Sequence, residues 1–200
     1  MLPGCWSSCT DGLLDQSAAF DTLDHKRLLD RLREQVGLSG TALDWVRSYL
    51  SGRNQSVCVN DTISSPSELT IGVPQGSVLG PLLFLCYMLP LCKIIEKHGV
   101  FRHSYADDLQ LFCPLTLKST HHLQNQLTWM EECLEEVRIW MRVNKLKLND
   151  AKTEVLIVAK KAELKIAKNI RLHIGEATVI PMKSARNLGY LMKLFQCNLK

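Results

Sequence analysis

Apolar residues recur at alternating steps of four and three from about Ser119 to Asn144: Leu123, Leu127, Met130, Leu134, Val137 and Met141. That spacing puts them on one stripe of a long helix, with Gln124, Glu131, Glu132, Glu135 and Arg138 elsewhere, and predicts a helix that covers one face of a sheet. Upstream, Leu28, Leu29, Leu32 and Val36 predict a helix capped by Asp24 and closed by Gly37, and Ser39 opens a second through Leu43, Val46 and Leu50, ended by Gly52. Val57 and Val59, a turn near Asn60-Asp61, then Leu69 and Ile71 predict a strand pair with a polar middle. Residues 81–98 read as a largely buried helix, started by Pro81 and bent or broken at Pro90. Short apolar runs at 98–101 and 109–112 flank Tyr105-Ala106-Asp107-Asp108 and predict a β-hairpin with the two carboxylates at its tip. Thr153 to Ala159 reads as a β-branched strand. Two short strands, 170–174 and 177–180, flank Gly175-Glu176, and 187–190 begins a further one. Strands interleaved with helices predict an α+β domain with an antiparallel sheet backed by helices.

Composition narrows this reading little. A chain of 200 residues with 46% hydrophobic residues supports one folded domain. A formal charge of +4 is compatible with nucleic acid without requiring it. The eight cysteines lack CxxC spacing and read as buried, reduced thiols. The start has neither a basic stretch nor an apolar run, so no secretory signal is expected. The most apolar segment, 82–95, holds Pro90 and is too short to span a bilayer. An intracellular protein in nucleus or cytoplasm, with no membrane and no evident protein partner, is the expectation.

Three stretches carry candidate chemistry. Adjacent carboxylates at a turn repel, and both stay ionised where a cation is shared between them or solvent is plentiful; oxygen donors of this kind suit Mg²⁺. A short apolar lead, Leu13-Leu14, runs into Asp15. Gly72-Val73-Pro74-Gln75-Gly76-Ser77-Val78-Leu79-Gly80-Pro81 opens onto a helix, whose free N–H groups and dipole attract phosphate. This loop lacks the Lys-Ser/Thr of a phosphate-binding NTPase loop. His121 and His122 fall at the exposed start of a helix and are given no metal.

The order Asp15…Ala19-Phe20-Asp21, Gly72 to Ser77 and Tyr105-Ala106-Asp107-Asp108 resembles the palm of a reverse transcriptase, an RNA-directed DNA polymerase. The wording of 17–22, 45–52 and 78–84 is similar to retrotransposons without long terminal repeats (long interspersed elements). A fourth match runs through Trp140-Met141, Asn144, 146–149 and 152–154. The resemblance covers roughly 13–159. Residues 1–12 read as an unmatched tail, a loop or a replaced end, and 160–200 as a basic segment with a hairpin resembling a primer grip.

The resemblance implies Mg²⁺-dependent addition of dNTPs to a DNA primer on an RNA template. It implies two Mg²⁺ ions, with Mn²⁺ as a substitute. Asp15 and Asp107 become the main metal ligands, Asp108 assists, and Lys152 neutralises or protonates pyrophosphate, with an exposed surface lysine as the plain alternative. The metal-binding Asp precedes the aromatic by five positions, which selects Asp15 over Asp21 and Asp24. Phe20 takes the place of the sugar gate, with a core phenylalanine as the alternative. Gln75, Gly76 and Tyr105 fall where the family lines the incoming nucleotide and base pair. Two departures stand out. The apolar strand before Asp15 shrinks to Leu13-Leu14, and the fingers and thumb of the family have no counterpart in the sequence. The expectation is therefore a palm inactive by itself; the alternatives are a catalytically dead palm that still binds nucleic acid and a non-functional retrotransposon-derived fragment.

Overall fold

In the computed structural model the described residues are 8–14, 16–17, 19–74, 76–117, 119–149, 152–160, 163–167, 169–175, 177–182, 184–187 and 190–193. Asp15 and Gln75, both predicted site residues, lie outside them.

A four-stranded antiparallel sheet organises the chain. Its strands are β1 (Cys9–Leu14), β7 (Phe101–Tyr105), β8 (Asp108–Pro114) and β10 (Glu154–Val158), in the order β10-β1-β8-β7. β1 is central, with Gly12 opposite Leu111 on one side and Val155 on the other. This corrects the reading of residues 1–12 as a loop: the strand before Asp15 starts at Cys9. Its sequence, Cys-Thr-Asp-Gly-Leu-Leu, hid it, because polar residues and a glycine fill positions that the register buries.

Successive strand residues point to opposite faces. Gly12, Leu14, Leu109, Leu111, Cys113, Val155 and Ile157 share one buried face. Helix α4 (Thr120–Val143) packs there, and a Cβ on Gly12 would come 3.3 Å from the Met130 side chain. All six apolar stripe residues of α4 are buried, each contributing roughly 1.5–3 kcal/mol relative to an exposed side chain. Ser119 caps its start by accepting from the His122 N–H. Its C-terminus is a Schellman turn: Lys145 takes φ +60°, the Leu146 N–H reaches the Met141 carbonyl and the Lys145 N–H the Arg142 carbonyl. The chain then enters β9 (Lys147–Leu148), which pairs with β2 (Gln16–Ser17).

Helix α1 (His25–Glu34) is capped by Asp24, whose Oδ1 accepts the Arg27 N–H at 3.1 Å. Val36 is 46% exposed rather than part of its apolar face, and Arg31 is buried in its place. The Arg31 guanidinium donates to the Tyr87 carbonyl and to Asn144 Oδ1, and lies 4.1 Å from the centre of the Tyr87 ring. Tyr87 in turn donates to the Asn144 carbonyl at 2.8 Å. One buried polar knot thus ties α1 to α3 (Gly80–Lys97) and to the end of α4. Helix α3 runs unbroken through Pro90, so of the expected bend or break the break does not occur.

Helix α2 (Gly40–Leu50) buries Leu43, Val46 and Leu50. Beyond it, β3 (Asn54–Gln55) pairs with β6 (Ser67–Glu68) and β4 (Cys58–Val59) with β5 (Thr62–Ile63). Asn60 and Asp61, with φ of 46° and 63°, form the connecting turn as expected. The pairing differs from the predicted one: Leu69 and Ile71 lie past it, and Val57, Val59 and Ile63 are exposed. Cys58 is exposed too, against the expectation of buried thiols, whereas burial pushes the Cys113 thiol up to about 11 and the Cys133 thiol to about 12. Toward the C-terminus come α5 (Leu164–Ala167) and the hairpins β11 (Leu172–Ile174) with β12 (Ala177–Val179), and β13 (Ser184–Asn187) with β14 (Tyr190–Lys193). Among the described residues, no helix is long and apolar enough to cross a membrane.

Candidate active site

The β7–β8 hairpin closes tightly. Tyr105 pairs with Asp108, leaving only Ala106 and Asp107 in the turn. Ala106 takes φ +52°, a conformation an L-residue adopts at a cost. Asp107 and Asp108 are half-buried at the tip and Tyr105 is 63% exposed.

Two residues tie β1 and β2 to this tip. Leu14, the last residue of β1, stands opposite Leu109, the neighbour of Asp108. Gln16 in β2 is 5% exposed and donates from Nε2 to the Asp107 carbonyl at 3.0 Å. Its Oε1 is buried without a hydrogen-bond partner among the described residues. The sequence reading passed over Gln16; a polar residue directly after a candidate ligand, in a segment that pairs, was the available signal. The residue between Leu14 and Gln16 is Asp15.

A second set of contacts joins the segment after Asp15 to the glycine-rich loop. The Val73 N–H donates to the Phe20 carbonyl at 2.8 Å and the Gly72 N–H to the Leu23 carbonyl at 2.7 Å. His25 Nε2 lies 2.6 Å from the Gly72 carbonyl. Gly72 has φ +83°, and a Cβ there would stand 2.8 Å from the Asp21 carbonyl oxygen, so only glycine fits. Asp21 contributes backbone here, and Asp24 is spent on the α1 cap and a 2.8 Å bond from Lys145. That bond, ahead of the other causes, holds the Asp24 carboxyl below its ordinary range.

Phe20 is half-buried, its ring 5.2 Å from that of Phe84 at 47°, and Phe84 is fully buried. Gly76, at φ +77°, has open space where a Cβ would be. The Ser77 hydroxyl accepts the Gly80 N–H at 3.0 Å, just ahead of α3, whose N-cap residue is Leu79. Lys152 is exposed on the connection from β9 to β10, its N–H bonded to the Asn149 carbonyl. The structure thus gathers Tyr105, Asp107, Asp108 and Gln16 at one point, and Phe20 with the 72–80 loop at another.

The two carboxylates are hard oxygen donors of the kind that a divalent cation takes. Among the described residues no group of three or more His, Cys, Asp or Glu is close enough to hold a metal; the third carboxylate by sequence is Asp15.

The model of the family described as reverse transcriptase (RNA-dependent DNA polymerase) matches residues 7–192. The chain belongs to the reverse transcriptase family. Its members use divalent metal ions. The match begins just before β1, in agreement with the strand the structure places there. A probable RNA-directed DNA polymerase from transposon BS of Drosophila melanogaster is 29% identical over 150 residues, which are 72% of this chain and 16% of that relative. The RNA-directed DNA polymerase from mobile element jockey of Drosophila funebris is 32% identical over 126 residues, 60% of this chain and 14% of its own length. Both likenesses are to polymerases of transposable elements. The chain spans about a sixth of these relatives.

Among solved structures, apo telomerase from Candida tropicalis, truncated from its C-terminal domain, superposes with a TM-score of 0.63 at 11% identity, over 96% of this chain and 35% of that one. Telomerase from Candida albicans, in complex with a fragment of telomeric RNA, gives 0.55 at 14% identity, over 88% and 31%. The shared fold is the α+β palm of a polymerase.

Proposed function

We propose that this chain is the palm of an RNA-directed DNA polymerase in which Asp15, Asp107 and Asp108 hold Mg²⁺ or Mn²⁺ and extend a DNA primer on an RNA template with dNTPs. One observation carries the reading. Leu14 is paired beside Asp108, and Gln16 is bonded to the Asp107 carbonyl at 3.0 Å. Both contacts belong to the immediate sequence neighbours of Asp15, which supports its assignment to the same site.

Ions bound there would favour ionisation of the primer 3′-hydroxyl and neutralise the departing pyrophosphate. The other roles fall to side chains and backbone. The Phe20 ring, braced on Phe84, presents bulk where a ribose 2′-hydroxyl would sit and so favours deoxynucleotides. Gln75 and Gly76 line the nucleotide, and the bare Gly76 Cα admits close approach of the base pair. Tyr105 offers an exposed ring beside the turn. Lys152 supplies positive charge, or a proton, to the leaving group.

Calorimetric titration of the chain with Mn²⁺ tests the site. Asp107→Asn and Asp15→Asn should each weaken binding by on the order of tenfold or more, since each removes a charged oxygen ligand. Unchanged affinity in both variants would remove the metal assignment.

A further inference from the structure

We infer that Trp45, Tyr49 and Arg53 form a stacking platform for the bases of single-stranded nucleic acid. They stand at successive turns of α2 and just beyond it. The Trp45 and Tyr49 rings lie 5.7 Å apart at only 12°, and the Arg53 guanidinium carbon is 4.5 Å from the centre of the Tyr49 ring. The Arg53 Nε donates to the Tyr49 carbonyl at 2.6 Å, which fixes the guanidinium on the ring. Three planar groups in a row are the chemistry that accepts nucleobases: every base has a π-face, and arginine adds charge to the stack.

The outer end of the row is open, for Trp45 is 57% exposed. A tryptophan that only braced the core would be covered. Around it the helix shows Thr41, Ala42, Asp44, Arg47 and Ser48, all exposed and apolar only at the small Ala42, and Asp44 is paired with Arg47. A protein partner would want an apolar surround at this point, and this one is polar. The inner end of the row leads toward the candidate active site. Arg53 lines a cavity of about 540 Å³ together with Asp21, Asn54, Gln55, Gly72 and Pro74. A strand whose base stacks on the open face of Trp45, with its backbone following the row to Arg53, would therefore run toward the loop to which the proposed polymerase reading assigns the nucleotide. The position of the platform relative to the chemistry rests on that reading; the base stacking does not.

Fluorescence anisotropy of a labelled short oligouridylate, with the 200-residue chain in EDTA, tests the inference. Metal is excluded, so failure of the carboxylate site and failure of the platform separate cleanly. Wild-type chain should bind with quenching of tryptophan emission. Trp45→Ala should weaken binding by on the order of tenfold without changing its salt dependence, and Trp45→Phe should restore most of the affinity. Arg53→Ala should lower both the affinity and the salt slope. A blunt RNA duplex should show no response to Trp45→Ala. The inference fails if wild-type chain does not bind the oligouridylate, if Trp45→Ala binds it equally well, or if the same loss appears on the duplex.

Discussion

Replacing Asp11 with valine should stabilise this chain near neutral pH, and the gain should shrink as the solution is acidified. Asp11 sits mid-way along the central strand, opposite Phe112 on β8 and Leu156 on β10, and is 1% exposed. Neither carboxyl oxygen has a hydrogen-bond partner among the described residues. Burial raises its pKa from 3.8 to about 6. The other titratable groups on this sheet face, among the described residues, are Cys9 on β1, Asp108 on β8, Glu154 on β10, and His103 and Tyr105 on β7; none forms an ion pair or hydrogen bond with Asp11. A folded-state pKa above the unfolded one means that the unfolded chain ionises first as pH rises. Stability is then lost between about pH 4 and pH 6 and stays lost above. A shift of roughly two units corresponds to about 3 kcal/mol at 1.36 kcal/mol per unit. Urea unfolding of wild type and Asp11→Val, followed by circular dichroism, should therefore give a stability difference that falls by about 2–3 kcal/mol from pH 7.5 to pH 4. A difference that does not change with pH, or a wild type more stable than the variant at pH 7.5, would refute the reasoning.

Three further outcomes follow from packing and polar contacts. Gly72→Ala should unfold or distort the junction with the 20–24 segment, because its Cβ would press to 2.8 Å from the Asp21 carbonyl at φ +83°; a melting temperature equal to wild type would contradict that. Asn144→Ala should cost about 2–3 kcal/mol in chemical denaturation by taking an acceptor from the buried Arg31 guanidinium, and a loss under half a kcal/mol, roughly the scale of a neutral surface change, would dissolve the knot. Tyr49→Phe should leave stability unchanged or raise it by up to about 1 kcal/mol, since the Tyr49 hydroxyl is buried without a partner among the described residues; marked destabilisation would mean that the hydroxyl is bonded after all.

The elements read correctly from sequence are those in which local and tertiary signals agree. The α4 stripe is long and strictly periodic, and every one of its six apolar positions is buried. The Asp107 turn and the Asp24 cap each combine a polar residue with an adjacent apolar run. What stayed hidden is set by non-local pairing. β1 carries Thr10, Asp11 and Gly12 at buried positions, so no alternation marks it; its burial comes from β8, β10 and α4. The pairing of 54–59 with 62–68 is fixed by the Asn60-Asp61 turn; Leu69 bonds its N–H to the Arg53 carbonyl just beyond that pairing, and Ile71 bridges to Asp24. Pro90 breaks no helix because α3 is held along its length by core packing through Tyr87, Leu91 and Ile95. Of the site, the carboxylates and the Gly72 loop were visible as motifs. Gln16 was not, since its role is a hydrogen bond to a carbonyl 91 positions away.

The central claim is that the segment around Asp15 and the Asp107-Asp108 turn share one cation. Fe²⁺ bound in place of Mg²⁺, with ascorbate and peroxide, cuts backbone close to the ion, and the fragments can be mapped by mass spectrometry. Cuts near 14–16 and near 106–108, both suppressed by excess Mg²⁺ and both lost in Asp107→Asn, are the predicted result. Cutting at only one of the two segments, or cutting indifferent to Mg²⁺, would contradict it.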